Sequence, residues 1–439
     1  MTKSTSKGSR PVRLRWPGRS PKLKSALARV PTCLANWTGD EVNGPSAQLW
    51  ASEAVATLDH LLLSGMQGTI DMIHLDPPFG SEANYDRRLT VETEPGPISF
   101  QLRAYGDRDG DDLAGYLDIL QAVLRRSHQL LAPHGSLYLH LDPRRGPYAR
   151  LLLDEIFGSG SFINQIVWAY GLGGSSRKRF GRKHDVIYLF AKDPSKMYFN
   201  APKEKATSSM LAGQPKLATD IWETQDADTN AALLRAWPDS LVRRTMSNRD
   251  PERTGYPTQK PLSLCERMVS SSCPPGGTVL DPMAGSGTAL VAAARLGRHV
   301  IGGDMGGPAL DVCRARLLQN TATLSLNSLD GHRQPLPWRG APAFYWGKGR
   351  CILQQTPVPA EVLNRLRIQG ARSPDDMRHL WSGWGLLDDE GQALHWIDAG
   401  PGRKRSPCEF KITVKTALRV TQWLGIDVLG NLWQSPLDS

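Results

Sequence analysis

The stretch Thr278-Val-Leu-Asp281-Pro-Met-Ala-Gly285-Ser-Gly287-Thr288 decides how this chain is read. A short apolar run ends in an Asp-Pro turn, two closely spaced glycines follow, and Thr288–Leu296 then reads as a helix closed by Gly297. His299–Asp304 is the next apolar run. Strand, glycine turn, helix and strand together make a right-handed βαβ crossover. Glycines in such a turn let a ligand approach the backbone closely, and the helix opening offers free N–H donors. Three nucleotide-like ligands compete. A phosphate loop requires Gly-Lys-Ser/Thr where this chain has Gly-Thr-Ala, and a dinucleotide fingerprint requires a third glycine where Leu290 stands. S-adenosylmethionine needs only the glycine turn and a carboxylate for its ribose hydroxyls, and Asp304 ends the next strand. A tight structural turn without a ligand satisfies the same residues.

Outward from this unit, strand-like and helix-like runs alternate from about residue 47 to 320, which predicts an α/β sheet covered on both faces. Ile70–Leu75 is a strand stopped by Asp76-Pro77-Pro78-Phe79. Leu113, Leu117, Leu120 and Leu124 recur at helical spacing over 111–131, closed by Ala132-Pro133-His134-Gly135 before a strand at Ser136–Leu141. Pro147–Phe157 reads as a helix ending at Gly158, and Phe162–Ala169 and Asp185–Phe190 as strands. The stretch 191–257 has weak periodicity and suits an inserted target-recognition segment. After about 330 the pattern turns Trp- and Gly-rich, with hairpins expected over Leu386–Ile397, Phe410–Val414 and Ile426–Trp433: a small β-rich C-terminal domain over 335–439.

The 439 residues carry 53 Lys+Arg against 43 Asp+Glu, a formal charge of +10, and are 40% hydrophobic, enough for two or three domains with a large core. No run reaches the roughly 18 apolar residues of a membrane span, and the basic first thirty residues lack an apolar signal core. A soluble, cytoplasmic protein with no membrane association is expected. Six cysteines without a C-x-x-C pair indicate neither a zinc knuckle nor a disulfide framework, and no metal is expected. Residues 1–39 hold nine bases and no acid; the 53 bases less those nine leave 44 against 43 acids elsewhere. Such a segment reads as a disordered basic tail, a phosphate-adhering arm or a plain solubilising leader. A second basic knot, Arg177, Lys178, Arg179, Arg182 and Lys183 with Phe180 among them, lies in a Gly/Ser-rich loop and suits gripping a nucleic-acid backbone.

Asp76-Pro77-Pro78-Phe79 can be a Pro-Pro turn with an incidental carboxylate, or it can be chemistry. An exocyclic base amine is a poor nucleophile because its lone pair is conjugated into the ring. A carboxylate and a backbone carbonyl that each accept one N–H turn the nitrogen toward tetrahedral. Asp76 and the Pro77 carbonyl can do this while Phe79 stacks on a base held out of its duplex. Tyr256-Pro-Thr258-Gln-Lys260-Pro261 precedes the helix that leads into the glycine turn and by itself says nothing.

Together, in this order, the three elements resemble the site-specific DNA methyltransferases that act on amino groups, in the permuted (beta) class where D-P-P-Y/F precedes the cofactor glycines. The resemblance spans about 48–320 and includes Ile156-Phe157-Gly158 to Phe162 and the His-Asp strand at 184–190. It implies a seven-stranded Rossmann-like S-adenosylmethionine-dependent methyltransferase sheet, with the two active strands side by side, in a domain over 40–325. By resemblance, Asp76, Pro77, Pro78 and Phe79 form the catalytic set. Asp281, Gly285, Gly287 and Thr288 wrap the methionine part of the cofactor, Met283 packs against it, Asp304 holds its ribose, and Thr258 and Lys260 lie near its carboxylate. Three departures stand out: Met283 replaces an aromatic, Ser52-Glu53 stands where the family has Gly-Asp, leaving Glu53 toward the adenine ring, and Phe79 replaces the commoner Tyr. Asp before Pro-Pro favours adenine N6 over cytosine N4. Double-stranded DNA is the expected partner, with a restriction endonuclease as a candidate companion and a monomer or homodimer as the working unit. RNA or protein amines as acceptors, or a DNA-binding module with a decayed core, are the competing readings. Pro407-Cys408 as a cysteine nucleophile, and Pro374-Asp375 with Glu409-Phe-Lys411 as nuclease carboxylates, lack matching context.

Overall fold

The computed structural model describes residues 13–20, 28–38, 41, 43–79, 84–91, 98–106, 112–170, 177–205, 215–223 and 250–329, with strand backbone beyond 335. In chain order the elements are β1 (Pro31–Thr38), β2 (Ser46–Ala51), α1 (Ala54–Leu63), β3 (Ile70–Leu75), β4 (Asn84–Val91), β5 (Ile98–Gly106), α2 (Leu113–Leu130), β6 (Leu131–Leu141) and α3 (Gly146–Phe157). There follow β7 (Phe162–Ala169), β8 (His184–Ala191), β9 (Lys203–Lys205), β10 (Pro215–Leu217), β11 (Ile221–Glu223), α4 (Leu262–Ser272), β12 (Thr278–Asp281), α5 (Thr288–Arg295), β13 (His299–Asp304), α6 (Gly307–Leu318) and β14 (Thr323–Leu329).

Ten strands form one sheet in the order β1-β14-β2-β13-β12-β3-β6-β8-β7-β11. All run in one direction except β1 and β8. The expected seven strands are its middle, β2 to β7, widened by β14 and β1 at one edge and β11 at the other. Successive residues of a strand point to opposite faces, and the buried residues sort accordingly. Met72, Tyr138, Val279 and Val300 join a core with α4, α5 and α6. Ile73, Leu75, Leu139, Leu280 and Ile301 join a second core with α1, α2 and α3. The result is a three-layer α/β/α Rossmann-like sandwich.

This topology places the site. From β12 the chain steps through α5 to β13 on one side, whereas from β3 it steps through α2 to β6 on the other. The parallel neighbours β3 and β12 therefore feed connections that diverge, leaving a crevice at their carboxyl ends, where ligands bind in open α/β sheets. Asp76-Pro77-Pro78-Phe79 and the Gly285–Gly287 turn both leave the sheet at this point.

Three sequence expectations are corrected. The tail expected over 1–39 enters the fold before it ends. Pro31–Thr38 is the edge strand β1, with Leu34, Ala35 and Trp37 buried in the α4–α6 core, so the boundary at 39/40 falls after the sheet has begun. Residues 13–20 also pack: Trp16 Nε1 donates to Asp118 Oδ1 at 3.0 Å, and Arg19 spans Gln121 Oε1 and Glu155 Oε1 on α2 and α3. At the other end, the boundary at 325 cuts β14. Ala132–Gly135 is not a turn before a strand but a bulge within β6. Leu131 pairs with Ile70 and Ser136 with Met72, and the extra residues are tied down by His134 Nε2 at 2.6 Å from Asp71 Oδ1.

Within 191–257, β9 and β10 form a short hairpin and β11 joins the sheet edge; the remainder, apart from residues at its two ends, lies outside the described residues. Beyond 335 the strands are β15 (Leu336–Pro337), β16 (Ala343–Gly347), β17 (Arg350–Gln355), β18 (Trp381–Leu387), β19 (Ala393–Asp398), β20 (Glu409–Lys411), β21 (Gln422–Asp427) and β22 (Leu432–Pro436). The hairpins expected at Leu386–Ile397 and Ile426–Trp433 correspond to the antiparallel pairs β18–β19 and β21–β22, while Phe410 lies in β20, which pairs with β17. Pro374-Asp375 and Pro407-Cys408 lie outside the described residues. Among the described residues no helix is long and apolar enough to cross a membrane.

Candidate active site

His74, on the face of β3 covered by α4, and Asp76, the first residue after the strand, are two residues apart. Beside them, β12 brings Asp281, whose Oδ2 lies 2.8 Å from His74 Nδ1. Lys260 reaches down from the loop before α4 and sets its Nζ 2.6 Å from Asp76 Oδ2, with side chains only 11% and 21% exposed. Burial works to raise the Asp76 carboxyl, but Lys260, His140 and His74 outweigh it and hold the group below its ordinary 3.8. Burial likewise pulls Lys260 down, and Asp76 with Asp185 more than restores it, above 10.5. The site therefore holds a carboxylate–ammonium pair across the neutral range.

The loop that delivers Lys260 is a stitched turn. Gln259 Oε1 accepts from the N–H and hydroxyl of Thr254, at 2.9 and 2.7 Å, and its Nε2 donates to the Glu252 carbonyl at 2.8 Å. Glu252 Oε1 accepts the Leu262 N–H at 2.6 Å, a carboxylate at the positive end of α4. Thr258 sits at φ +58°, left-handed backbone that a β-branched residue rarely adopts. Thr258 and Gln259 thus shape the turn, and Lys260 is its payload.

Phe79 has its own setting. Its ring stacks on His140 with centroids 6.2 Å apart, Lys260 Nζ stands 5.3 Å from its centroid, and Arg145 Nε donates to its carbonyl at 3.1 Å. His140, fully buried at the end of β6, donates from Nε2 to Asp185 Oδ2 at 3.0 Å, and Asp185 Oδ1 accepts the Tyr170 hydroxyl at 3.0 Å. Burial, with Lys260 adding to it, lowers the His140 pKa beneath 6.5 despite Asp185 and Asp76, so the ring is neutral at neutral pH. His140, Tyr170 and Arg145 were not singled out by the sequence reading, and Asp185 entered it only as part of the His-Asp strand. The one signal for His140 is a histidine closing an otherwise Leu-rich strand.

On the other side of the crevice, Gly285 and Gly287 take φ +52° and +73°. A Cβ on Gly287 would stand 2.4 Å from Cys313 Sγ, so close packing of α5 on α6 demands glycine there independently of any ligand. Asp304 clamps the turn, Oδ2 accepting the Gly285 N–H at 2.9 Å and Oδ1 that of Gly306 at 2.7 Å. The residue is half-buried and ends β13 at the crevice. Two expected ligands turn inward instead. Asp281, 2% exposed, spends its oxygens on His74 and the Met283 N–H, a strut beneath the turn. Thr288 is buried against Ser286 and the Arg316 guanidinium. Lys260 is corrected likewise: it meets Asp76 rather than standing with Thr258, which is exposed. Met283 packs partly buried on the α1–α3 core. Glu53, exposed, precedes α1 two residues after Ala51, the register partner of Asp304.

Arg177, Lys178, Arg179, Arg182 and Lys183 are all exposed on the loop joining β7 to β8, whose neck is closed by the Tyr170 N–H to the Lys183 carbonyl at 3.0 Å. Their loop rises from the same edge of the sheet as Asp76, because β7 runs parallel to β3.

A mixed sheet with a carboxylate and a glycine turn at its switch point has the layout of a ligand-binding crevice of an open α/β sheet. Residues 70–312 match the N6/N4 DNA methylase family. The chain belongs to that family: it is an S-adenosylmethionine-dependent DNA amino-methyltransferase. It is 27% identical over 277 residues to the type II methyltransferase M.HpaI of Haemophilus parainfluenzae, covering 62% of this chain and 74% of that one. It is 27% identical over 237 residues to the DNA adenine methyltransferase YhdJ of Escherichia coli (strain K12), covering 53% and 71%. Among solved structures it is similar to the cytosine-N4-specific PvuII DNA methyltransferase, with TM-score 0.40 and 14% identity over 63% of this chain and 90% of that one.

Proposed function

We propose that this protein methylates adenine N6 at a specific site in double-stranded DNA, with Asp76, Pro77, Pro78 and Phe79 as the catalytic set. The observation that carries this reading is Asp76 itself, a carboxylate at the mouth of the switch-point crevice with Oδ2 held by Lys260. Asp rather than Ser before Pro-Pro supports adenine, as does the relative named a DNA adenine methyltransferase.

S-adenosylmethionine would supply an electrophilic sulfonium methyl, its sulfur–methyl bond breaking as the nitrogen–carbon bond forms and its sulfur leaving as a neutral thioether. Asp304 would hold its ribose and the Gly285 turn its methionine portion, with Met283, Glu53 and Thr258 completing its surroundings; Asp281, Gly287 and Thr288 shape the turn from within. Asp76 Oδ1 and the Pro77 carbonyl each accept one N–H of the target amine, which localises the nitrogen lone pair. The lowered pKa of Asp76 makes it a weak base, so it orients the amine without first removing its proton. Once the nitrogen carries the methyl group it is a strong acid, and its proton passes to the Asp76 carboxylate and on to water. Phe79, its ring backed by His140, stacks on the extruded base.

The five bases at 177–183 grip phosphates, the 191–257 segment reads sequence, and the strands beyond 335 assist in DNA or partner contact. A restriction endonuclease acting on the same site is the companion suggested by relatives named type II methyltransferases. The protein works in the cytoplasm as a monomer or homodimer.

The test is transfer of labelled methyl to DNA, RNA and cell protein in parallel, with nucleoside analysis of the product. N6-methyladenine in DNA is expected; N4-methylcytosine would replace the adenine reading, and label in RNA or protein alone would replace the substrate. Asp76→Ala should abolish transfer while S-adenosylmethionine still binds by calorimetry.

A further inference from the structure

Resting on the reading of duplex DNA as substrate, we propose that Phe180 is a wedge that enters the base stack beside the target pair and fills the space the departing base leaves. Phe180 is 99% exposed. Single exposed apolar residues are ordinary, but this whole aromatic ring stands in water between Arg177, Lys178 and Arg179 on one side and Arg182 and Lys183 on the other. A polyanion drawn to those five bases brings its stacked bases to the ring. Charge complementarity therefore selects the occupant: nucleic acid rather than an apolar protein groove.

The anchoring of the loop ties the ring to the site. Ala169 pairs with His184, and the Tyr170 N–H meets the Lys183 carbonyl at 3.0 Å to close the neck. Immediately below, Tyr170 and Asp185 share a 3.0 Å hydrogen bond, Asp185 holds His140, and His140 stacks on Phe79. Phe180 lies three residues from Lys183, at most about 11 Å of chain. The loop that holds the duplex and the ring that would receive the flipped base thus stand on one hydrogen-bonded footing. Extruding a base forfeits its stacking, and an inserted apolar side chain replaces part of it. A phenylalanine, which has no hydrogen-bonding group, does so whatever the neighbouring base pair.

The test uses the full-length protein and two 30-base-pair duplexes carrying the recognition site, read beforehand by modified-base sequencing of DNA from expressing cells. In one the target base is paired; in the other it faces an abasic site and needs no help to leave. Single-turnover methylation of the paired duplex should slow about 30-fold in Phe180→Ala and that of the abasic-opposed duplex less than about threefold, the difference being the stacking that the wedge replaces. Phe180→Trp should restore the paired rate. Equal slowing on both duplexes, or none on the paired one, overturns the wedge. A wild type inactive on both duplexes overturns the DNA reading itself, and is told apart because no variant is then needed to see it.

Discussion

Lys260 Nζ stands 2.6 Å from Asp76 Oδ2, a cation delivered by the loop before α4 onto the carboxylate that follows β3. The contact joins residues 184 apart in the chain and, under the proposed function, leaves Asp76 Oδ1 for the target amine. A carboxylate so held accepts a hydrogen bond well and a proton poorly, which is what an amine acceptor without a preliminary deprotonation requires.

Lys260→Met should therefore move the acid limb of activity. In the native protein Asp76 titrates below 3.8, so the stability from the pair is full above that value and lost as pH falls through the native one. On the other side, Lys260 titrates above 10.5, and the pair weakens only as pH rises through that raised value. Without Lys260, the upward pull of burial on Asp76 is opposed by less, and the acid limb of the single-turnover rate shifts to higher pH. Loss of one partner should also cost about 1–3 kcal/mol of stability, less than for a fully buried pair because Asp76 is partly exposed. Lys260→Arg keeps the charge and should keep the limb. An unmoved limb in Lys260→Met would show that the lysine does not set the ionisation of Asp76.

Gly287→Ala tests whether the second glycine serves the fold. The new Cβ would stand 2.4 Å from Cys313 Sγ at a φ of +73°. Overpacking and left-handed strain together should lower stability by about 2–4 kcal/mol. Adding Cys313→Ala removes the sulfur and should recover part of this but not all, because Cys313 Cβ remains at 3.1 Å and the backbone strain persists. Thermal melts of the two single variants and the double variant measure the coupling; simple additivity would place the constraint elsewhere.

How much of this was legible in the sequence follows from which interactions are local. The Asp76 turn, the Gly285–Gly287 turn and Asp304 are each announced by a short apolar run and the residues that stop it, so their places at strand ends could be read directly. That β3 and β12 are neighbours came only with the family resemblance, because the 200 or so residues between them carry no local signal of adjacency. Lys260, Asp281 and Thr288 were named, but their partners are side chains from distant elements, and the direction a side chain takes is not written in its own neighbourhood. His140 was hidden for the same reason inside a Leu-rich strand, and Asp185, named only within the His-Asp strand, gave no sign of its partners. The N-terminal segment misled through composition: nine bases and no acids argued for a tail, while the buried Leu34, Ala35 and Trp37 of an edge strand are too few to outweigh that average.

His128 predicts an acid-sensitive fold. Its Nδ1 lies 3.2 Å from Lys192 Nζ, and its ring packs edge-on against Phe157. Burial, then the nearby Lys192 charge, pushes its pKa down to about 4. Between that value and the ordinary 6.5 the unfolded chain binds the proton that the native one refuses, so stability falls on acidification through this window and is flat above it. His140 adds in the same direction. Tm measured from pH 7.5 to 4.5 should therefore drop more steeply in the wild type than in His128→Leu, which has nothing to protonate there. Parallel curves would mean that the histidine titrates normally.

Truncations separate the charge of the N-terminal segment from its packing. Removing residues 1–12 takes away Lys3, Lys7 and Arg10 and no described element. Thermal stability should hold, and the slope of log affinity for duplex DNA against log salt should become shallower by at most about three, near 0.9 for each phosphate no longer neutralised. Removing residues 1–39 also deletes β1, exposing the edge of β14 and uncovering Leu324 and Leu326, and it takes Trp16 and Arg19 off α2 and α3. That variant should melt well below the shorter truncation and tend to aggregate through its open strand edge. If both truncations melted alike, β1 would contribute nothing to the sheet, and the basic segment would be an appendage from residue 1 to residue 39.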